Sequence, residues 1–144
     1  MIAIPDRCVD EIRRHGASDY PYECCGLLLG DFDPSGAKSV VETYPISNGR
    51  EESAKRNRFL ITPDELMRGE RYAREKRLEV VGFYHSHPDS PAVASQYDLE
   101  HAWPSYSYII VATARDHTGD LRSWVQRPDR SQFDEEPIEL VVRT

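Results

Sequence analysis

The sequence has little of what marks membrane, secreted or nucleic-acid-binding proteins. No apolar run approaches the ~20 residues needed to span a bilayer, and residues 1–10 lack the basic-then-apolar pattern of a secretory signal. The three cysteines cannot all pair, which is typical of a protein from a reducing cytosol. Basic residues are outnumbered, with 18 Lys and Arg against 25 Asp and Glu and a formal net charge of −7, whereas nucleic acids and anionic membranes attract basic surfaces. We therefore expect a cytoplasmic protein without a nucleic-acid or membrane partner.

The composition that remains is that of a globular protein. Hydrophobic residues make up 39% and charged residues 30% of the 144 positions, which is too apolar for a disordered chain. One compact domain usually takes ~100–150 residues. A chain of this length buries enough surface to fold without stabilising disulfides or structural metals. We expect a single domain over residues 1–144.

Local patterns predict three helices and about six strands. The first helix begins at Ile4-Pro5 and ends at Gly16. The second has a capping Thr62, a proline at its first position and a Glu three residues after the cap; it ends near Lys76, and a third helix spans residues 95–102. Strands are predicted over residues 24–30, 38–46, 79–84, 106–112, 121–126 and 138–143, with a hairpin turn over residues 116–120. Because strands cluster late in the chain, this order indicates an α+β or mixed α/β fold.

The most informative segment is residues 82–98, GFYHSHPDSPAVASQYD. His85 and His87 are two apart at the end of a predicted strand, so both imidazoles lie on one face and converge. Pro88 cannot donate a ladder hydrogen bond and ends the strand, and Asp98 follows one turn into the third helix. Two imidazoles and one carboxylate form a three-ligand set for Zn²⁺ that leaves a fourth position for water. Structural zinc sites fill all four positions with protein, so this set indicates catalysis.

Hydrolysis at such a centre needs two further groups. Zinc lowers the pKa of bound water from ~15.7 to near 7, but a base that is not a ligand must still take the proton and pass it to a leaving amine. Glu23, which directly precedes the apolar run CCGLLLG, is the best candidate. Ser95 is placed to donate a hydrogen bond to an oxyanion. Ser95 and Asp98 also fit a helix-start pattern, with Ser95 as the cap, so the role of Ser95 stays open.

These residues together resemble the JAMM signature of the JAB/MPN+ metalloproteases, Glu…His-x-His-Pro-x₆-Ser-x₂-Asp. The matching positions are Glu23, His85, His87, Pro88, Ser95 and Asp98. The flanking segments ECCGLLLG and LEVVGFYHSHP are similar too, and the resemblance runs from residue 21 to about residue 112. Ala94 departs from the proline that many members have there, a change that removes no functional group. The five matching positions from His85 to Asp98, all at the correct spacing, make the resemblance specific.

The resemblance implies a fold, a cofactor and a reaction. The fold is the JAB/MPN domain, cytidine-deaminase-like, with a curved and mostly antiparallel sheet flanked by about three helices. His85, His87 and Asp98 bind one Zn²⁺, Glu23 acts as general base and then acid, and Ser95 supports the oxyanion. The activity is hydrolysis of a peptide or isopeptide bond after the C-terminal Gly-Gly of a ubiquitin-like or sulfur-carrier β-grasp protein, as in deubiquitinases and desampylases.

The sequence is compatible with several alternatives. A non-catalytic or weakly active JAB/MPN module that binds a ubiquitin-like partner is the second function. The bond is an isopeptide, a linear peptide or an amino-acid adduct, and an oligomer is compatible with the sequence. We expect the substrate tail to lie extended in a groove lined by residues 50–59 or by residues 89–94.

The other aromatic, histidine and cysteine residues have simpler interpretations. Trp103 and Trp124 alternate with apolar residues and are predicted to lie in the core or on a sheet face. His101, one helical turn after the candidate carboxylate, is interpreted as a surface histidine or as a neighbour of the site. Cys24 and Cys25 are predicted to be small buried hydrophobic residues.

Overall fold

The computed structural model describes residues 1–48 and 59–142. Within these residues the chain forms eight strands and three helices: β1 (Ile2–Pro5), α1 (Asp6–Asp19), β2 (Cys25–Phe32), β3 (Lys38–Ile46), α2 (Pro63–Glu75), β4 (Glu79–Pro88), α3 (Gln96–Glu100), β5 (Ser107–Ala114), β6 (His117–Gln126), β7 (Phe133–Glu136) and β8 (Ile138–Val141). None of the helices in this part of the chain combines the length and the apolarity that crossing a membrane requires.

All eight strands belong to one mixed sheet in the order β7-β6-β5-β4-β2-β3-β1-β8. The pairings β2–β3, β2–β4, β5–β6 and β6–β7 are antiparallel, whereas β4–β5, β1–β3 and β1–β8 are parallel. A mixed sheet with three helices confirms the predicted α+β class. The strands β2, β4 and β5 lie in the middle of the sheet, so the end of β4 that carries the histidines is held from both sides.

Each face of the sheet packs against one long helix, and β2 contributes to both cores. Leu28 points to the face covered by α1, where it packs with Cys8 and Ile12. Its neighbours Leu27 and Leu29 point to the opposite face, in the cluster that contains Ala73 of α2. Because successive residues of a strand alternate between faces, a strand buried on both faces is apolar throughout. The prediction that Cys24 and Cys25 are buried is confirmed, since neither is exposed.

The two ends of the sheet meet at Pro137. The strands on either side of this residue, β7 and β8, are consecutive in the chain but lie at opposite ends of the strand order. The carbonyl of Pro137 accepts a hydrogen bond from the Ile2 backbone N–H at 3.1 Å, which ties the junction to β1. The sheet therefore curls back on itself, and the last segment of the chain bridges its two edges.

A buried ionic cluster lies at this junction, and we call it the closing cluster. The Glu136 carboxylate accepts hydrogen bonds from the hydroxyls of Ser107 (2.6 Å) and Ser123 (2.8 Å). It also lies 3.5 Å from the ammonium group of Lys38 and 3.4 Å from the amino terminus. Burial alone would raise the pKa of Glu136, but these hydrogen bonds and charges outweigh it and lower the pKa.

The structure corrects the prediction for the first helix. Pro5 ends β1, a short strand that the sequence patterns did not indicate, and the helix begins at Asp6 and continues past Gly16 to Asp19. Gly16 is therefore not a stop signal. A Cβ atom at this position would lie 2.9 Å from Cγ2 of Thr113, so the missing side chain allows α1 to pack closely on β5.

In the C-terminal part, the predicted bounds of one turn are wrong and one strand was not predicted. The hairpin turn over residues 116–120 is shorter: only Arg115 and Asp116 form the turn, and His117 already pairs with Ala114. Asp116 has a φ of 71°, a left-handed conformation that aspartate tolerates better than most residues. The strand β7, with the sequence FDEE, was missed because it has no apolar alternation.

Other predicted elements agree closely with the structure. The strand over residues 38–46 is β3 without change at either end. In α2 the Thr62 hydroxyl accepts a hydrogen bond from the Glu65 backbone N–H at 3.2 Å, and Pro63 is the first helical residue, as the sequence predicts.

Candidate metal centre

Three side chains with metal-binding chemistry converge where β4 ends and α3 begins. His85 and His87, two residues apart on one face of β4, meet Asp98 of α3. The Nε2 atoms of the two histidines are 3.2 Å apart. The Asp98 carboxylate oxygens lie 3.3 Å from Nε2 of His85 and 3.1 Å from Nε2 of His87. Donor atoms about 2.0 Å from a tetrahedral ion are about 3.3 Å apart, so these nitrogen–nitrogen and nitrogen–oxygen distances, the latter to the two different oxygens of Asp98, are of the size that a Zn²⁺ site requires.

Hydrogen bonds orient two of these side chains. Nδ1 of His87 lies 2.9 Å from the backbone carbonyl of Pro91. Because a carbonyl only accepts, Nδ1 carries a proton; Nε2 then offers its lone pair to a metal when the ring is neutral and donates to Asp98 when the ring is protonated. The Asp98 carboxylate accepts a hydrogen bond from the Ser95 backbone N–H at 2.9 Å. Nδ1 of His85 has no hydrogen-bond partner among the described residues, and this ring is held by stacking on Phe59 with centroids 4.6 Å apart.

The ionisable groups of the cluster favour one another's charged forms, as the pKa values of Asp98 and His87 show. Burial opposes the negative charge of Asp98, but the charge of His85 and the hydrogen bonds from both histidines and Ser95 hold the pKa of this carboxyl well below its usual range. Burial also opposes the charge of His87, but its hydrogen bonds and the charges of Asp98 and Glu23 raise its pKa. Protons and a metal ion compete for the same imidazole nitrogen, so metal binding at this cluster must weaken as the pH falls.

The strand register brings Glu23 to the same place. In the antiparallel pair of β2 and β4, Cys25 lies opposite His85 and the Ser86 N–H bonds to the Cys24 carbonyl at 3.2 Å. The residue two before Cys25 therefore lies beside His87. Glu23 lines a cleft of about 220 Å³ with His87 and Ser95. It is only 4% exposed. Burial raises the pKa of Glu23 to about 8; the charge of His87 acts to lower this pKa, and the charge of Asp98 acts to raise it.

Ser95 caps α3 and still has a proton to donate. Its hydroxyl accepts a hydrogen bond from the Asp98 backbone N–H at 3.0 Å, which together with the bond from the Ser95 N–H to the Asp98 carboxylate forms a capping box. The predicted cap is thus confirmed. A hydroxyl accepts through lone pairs and donates through its proton, so the cap leaves the donor available. The oxyanion role of Ser95 stays a prediction.

A second, apolar cleft opens on the other side of the cluster. It encloses about 220 Å³ and touches His85 and Asp98; its other lining residues are Phe59, Leu60, Ile61, Leu66, Phe83, Tyr97, His101, Trp103 and Tyr108. The prediction that Trp103 lies in the core or on a sheet face is wrong, because 60% of this residue is exposed and it lies outside the strands. Its backbone N–H donates to the Tyr108 hydroxyl at 2.9 Å, and the Arg130 guanidinium lies 5.2 Å from its ring centroid. Trp103 is therefore a fixed, exposed apolar wall of this cleft.

The loops predicted to line a substrate groove differ in their outcome. Residues 89–94 do line the cleft that contains Glu23, through Ser90, Pro91 and Val93. Residues 50–58 of the other loop lie outside the described residues, and Phe59, which follows them, lines the apolar cleft.

Both faces of β4 carry specific contacts. The two candidate histidine ligands point toward the clefts, while Tyr84 and Ser86 point toward α1. The Tyr84 hydroxyl lies 2.7 Å from Nδ1 of His15, and the Ser86 hydroxyl accepts a hydrogen bond from the Cys24 backbone N–H at 2.8 Å. These contacts fix the pairing of β4 with β2 and so the position of the imidazoles.

Comparison with known proteins gives a consistent set of matches. The family model "Prokaryotic homologs of the JAB domain" matches residues 5–127. A desampylase of Haloferax volcanii is 37% identical over 80% of this chain and 84% of its own length. A CysO-cysteine peptidase of Mycobacterium tuberculosis is 28% identical over 98% of this chain and 92% of its own length.

Solved structures agree on the fold. A protein from Desulfitobacterium hafniense, 28% identical, superposes with a TM-score of 0.83 over 99% of this chain and 93% of its own. A JAB1/MPN domain protein from Archaeoglobus fulgidus, 20% identical, superposes with a TM-score of 0.58 over 96% of this chain and 98% of its own. The second likeness concerns the fold alone, and it confirms the predicted JAB/MPN architecture.

Proposed function

Because the chain belongs to the family of prokaryotic homologues of the JAB domain, we propose that it is a zinc-dependent peptidase or isopeptidase that releases ubiquitin-like or sulfur-carrier proteins from their conjugates. It is a hydrolase of this family, and the bond that it cleaves follows the C-terminal Gly-Gly of such a β-grasp protein. The names of two relatives, a desampylase and a CysO-cysteine peptidase, support this substrate class. We place the activity in the cytoplasm, in keeping with three buried cysteines that form no disulfide among the described residues.

The observation that carries the proposal is the convergence of a buried acid with a closely spaced set of three metal-binding side chains. His85, His87 and Asp98 would hold the zinc, which supplies Lewis acidity toward water and a carbonyl oxygen. Glu23 shares a cleft with His87 and is not one of the three clustered ligands, so it is free for proton transfer. A buried carboxyl with a raised pKa is suited to take and return a proton near neutral pH.

Each of these side chains then has one task in the hydrolysis of a peptide bond. Glu23 takes a proton from the attacking water and passes it to the nitrogen of the leaving amine. The Ser95 hydroxyl, already fixed as a helix cap, donates a hydrogen bond to the developing oxyanion. His87 keeps its orientation through the carbonyl of Pro91.

The two clefts divide the substrate between them. Since Glu23 must reach the leaving nitrogen, the amine side of the bond lies in the cleft that Glu23 lines. The acyl side then lies in the apolar cleft beyond His85 and Asp98. A tail that ends in two glycines has no side chains to obstruct its passage beside the cluster, and the first larger side chain upstream meets the exposed wall formed by Trp103.

The test uses three model conjugates of a β-grasp carrier protein that ends in Gly-Gly. The carrier is joined to a linear peptide, to a lysine side chain or to a single cysteine, and mass spectrometry identifies the cleaved bond. Wild-type protein is expected to bind about one zinc per chain and to cleave at least one conjugate after Gly-Gly. Glu23→Gln is expected to keep the zinc and to lose ~10²–10⁴-fold in kcat, the usual contribution of a general base.

A matched control is Glu75→Gln, which removes an exposed carboxylate from α2. This variant should cleave like the wild type. An active Glu23→Gln enzyme would exclude Glu23 as the base. Carrier binding without cleavage by the zinc-loaded wild type would favour the non-catalytic binding module instead.

A further inference from the structure

The strand β6 supplies none of the clustered ligands, yet two of its side chains reach the segment that carries one of them. Nε1 of Trp124 donates a hydrogen bond to the backbone carbonyl of Ala92 at 3.0 Å. Nε2 of Gln126 donates to the backbone carbonyl of Leu99 at 2.9 Å. The two donors are two residues apart, so they lie on the same face of the strand.

Both acceptors are immediate neighbours of groups that define the cluster. Ala92 follows Pro91, whose carbonyl orients His87. Leu99 follows Asp98, the carboxylate ligand. The two bonds from β6 thus attach both ends of the segment from residue 91 to residue 99.

This segment has little means of holding its own shape. The helix α3 has only five residues, far below the length at which an isolated helix is stable. The capping box of Ser95 fixes the first turn internally, but it does not fix where that turn lies relative to β4. The distance between Asp98 and the two imidazoles must therefore be set by contacts with the rest of the fold.

Gln126 is a buried polar side chain whose hydrogen-bonding groups are only partly satisfied. It is 1% exposed, and its Oε1 atom has no hydrogen-bond partner in the part of the chain that the structure describes. An unsatisfied buried amide oxygen destabilises the folded state, whereas an apolar side chain of similar volume would not. Its presence is accounted for by the one bond that it does make, to Leu99.

We propose that Trp124 and Gln126 are positioning residues that hold the segment from residue 91 to residue 99 at the spacing a metal ion requires. They act through backbone carbonyls, so they touch neither the metal nor the substrate. The inference rests on the proposed function in one respect, that His85, His87 and Asp98 are the metal ligands.

The test removes each donor and keeps the bulk of the side chain. Trp124→Phe and Gln126→Met are prepared in the full chain, and the zinc dissociation constant is measured by competition with a chromophoric chelator. Each variant is expected to bind zinc ~10–100-fold more weakly, as is usual when partners behind the ligands are lost. The double variant should bind more weakly than either single one, and kcat should fall with little change in KM.

The melting temperature of the metal-free protein separates positioning from general stabilisation. Gln126→Met should melt close to the wild-type temperature, because removal of the unsatisfied oxygen offsets the lost bond to Leu99, whose carbonyl still accepts from the Ala102 backbone N–H at 3.4 Å. Gln132→Met is the matched control, since this exposed amide on the loop after β6 bonds only to Asp134 among the described residues. It should change neither the zinc affinity nor the melting temperature.

Two results would overturn the inference. Wild-type zinc affinity in both single variants would show that the bonds from β6 do not position the cluster. Weaker zinc binding accompanied by a lower melting temperature of the metal-free form in both variants would show that their role is structural. A wild-type protein that binds no zinc is a separate outcome, because it contradicts the proposed function itself and removes the ligand set on which the inference depends.

Discussion

Replacing Glu136 with Gln should cost about 3–5 kcal/mol of the free energy of unfolding, the usual penalty for removing one partner of a buried ion pair. The side-chain amide can still accept from the Ser107 and Ser123 hydroxyls, which bond to the carboxylate at 2.6 and 2.8 Å. It offers no counter-charge to Lys38, whose ammonium is buried 3.5 Å away. The loss comes mainly from that uncompensated charge. It corresponds to a fall of ~6–20 °C in the melting temperature for a domain of this size.

The neighbour Glu135 provides the control for this prediction. It pairs with Arg122 at 3.4 Å, but both side chains are more than 40% exposed. Exposed pairs contribute ~0–1 kcal/mol, so Glu135→Gln should melt close to the wild-type temperature. Thermal unfolding followed by circular dichroism measures both variants. Equal melting temperatures for Glu135→Gln and Glu136→Gln would refute the role assigned to the closing cluster.

The pH dependence gives a second check on the same residue. Burial alone would raise the pKa of Glu136, but hydrogen bonds from two serines and the positive charges of Lys38 and the amino terminus lower it in the folded state. A carboxyl whose pKa is lower in the folded than in the unfolded state stabilises the protein above its ordinary pKa of about 4.3 and loses this contribution as the pH falls through the folded value. The difference between wild type and Glu136→Gln should therefore shrink below about pH 4. A difference that is independent of pH would contradict this account.

Three further predictions concern the site and the helix packing. Zinc should dissociate more readily as the pH is lowered from about 7.5 to 5.5, since the raised pKa of His87 makes protons compete for its nitrogen; chelator competition measures this. Trp103→Ala should raise KM for a Gly-Gly carrier several-fold with little change in kcat, while Trp103→Phe keeps most of the apolar wall; steady-state kinetics distinguish the two. Gly16→Ala should lower the free energy of unfolding by ~1–3 kcal/mol in urea titrations, because the new Cβ would lie 2.9 Å from the Thr113 methyl group.

The parts of the fold that could be predicted from the sequence are those with a local signal. β3 is rich in β-branched and aromatic residues and its predicted bounds are those of the structure. The start of α2 was predicted from Thr62 and Pro63, which act within a single turn. The candidate ligands could be grouped because strand periodicity places His85 and His87 on one face.

The parts that could not be predicted depend on contacts between distant segments. β7 has no apolar pattern. It forms because it pairs with β6 and because its residue Glu136 is hydrogen-bonded within the closing cluster. Gly16 resembles a helix stop in sequence, and only the proximity of β5 shows that it allows close packing. The side chains of Trp124 and Gln126 donate hydrogen bonds to backbone carbonyls. Because every residue has such a carbonyl, no sequence pattern predicts these bonds.

Because side chains on both faces of β4 make specific contacts, the proposed activity depends on the number of residues in this strand. One residue inserted or deleted between Gly82 and Tyr84, where β4 pairs regularly with both neighbouring strands, would exchange the two faces. The imidazoles would then point under α1, while the phenol of Tyr84 and the hydroxyl of Ser86 would face the clefts. Such a chain would retain every residue of the signature and could not assemble the proposed metal centre. The pairing of Cys25 with His85 is therefore what must be checked in any related sequence before its histidines are counted as ligands.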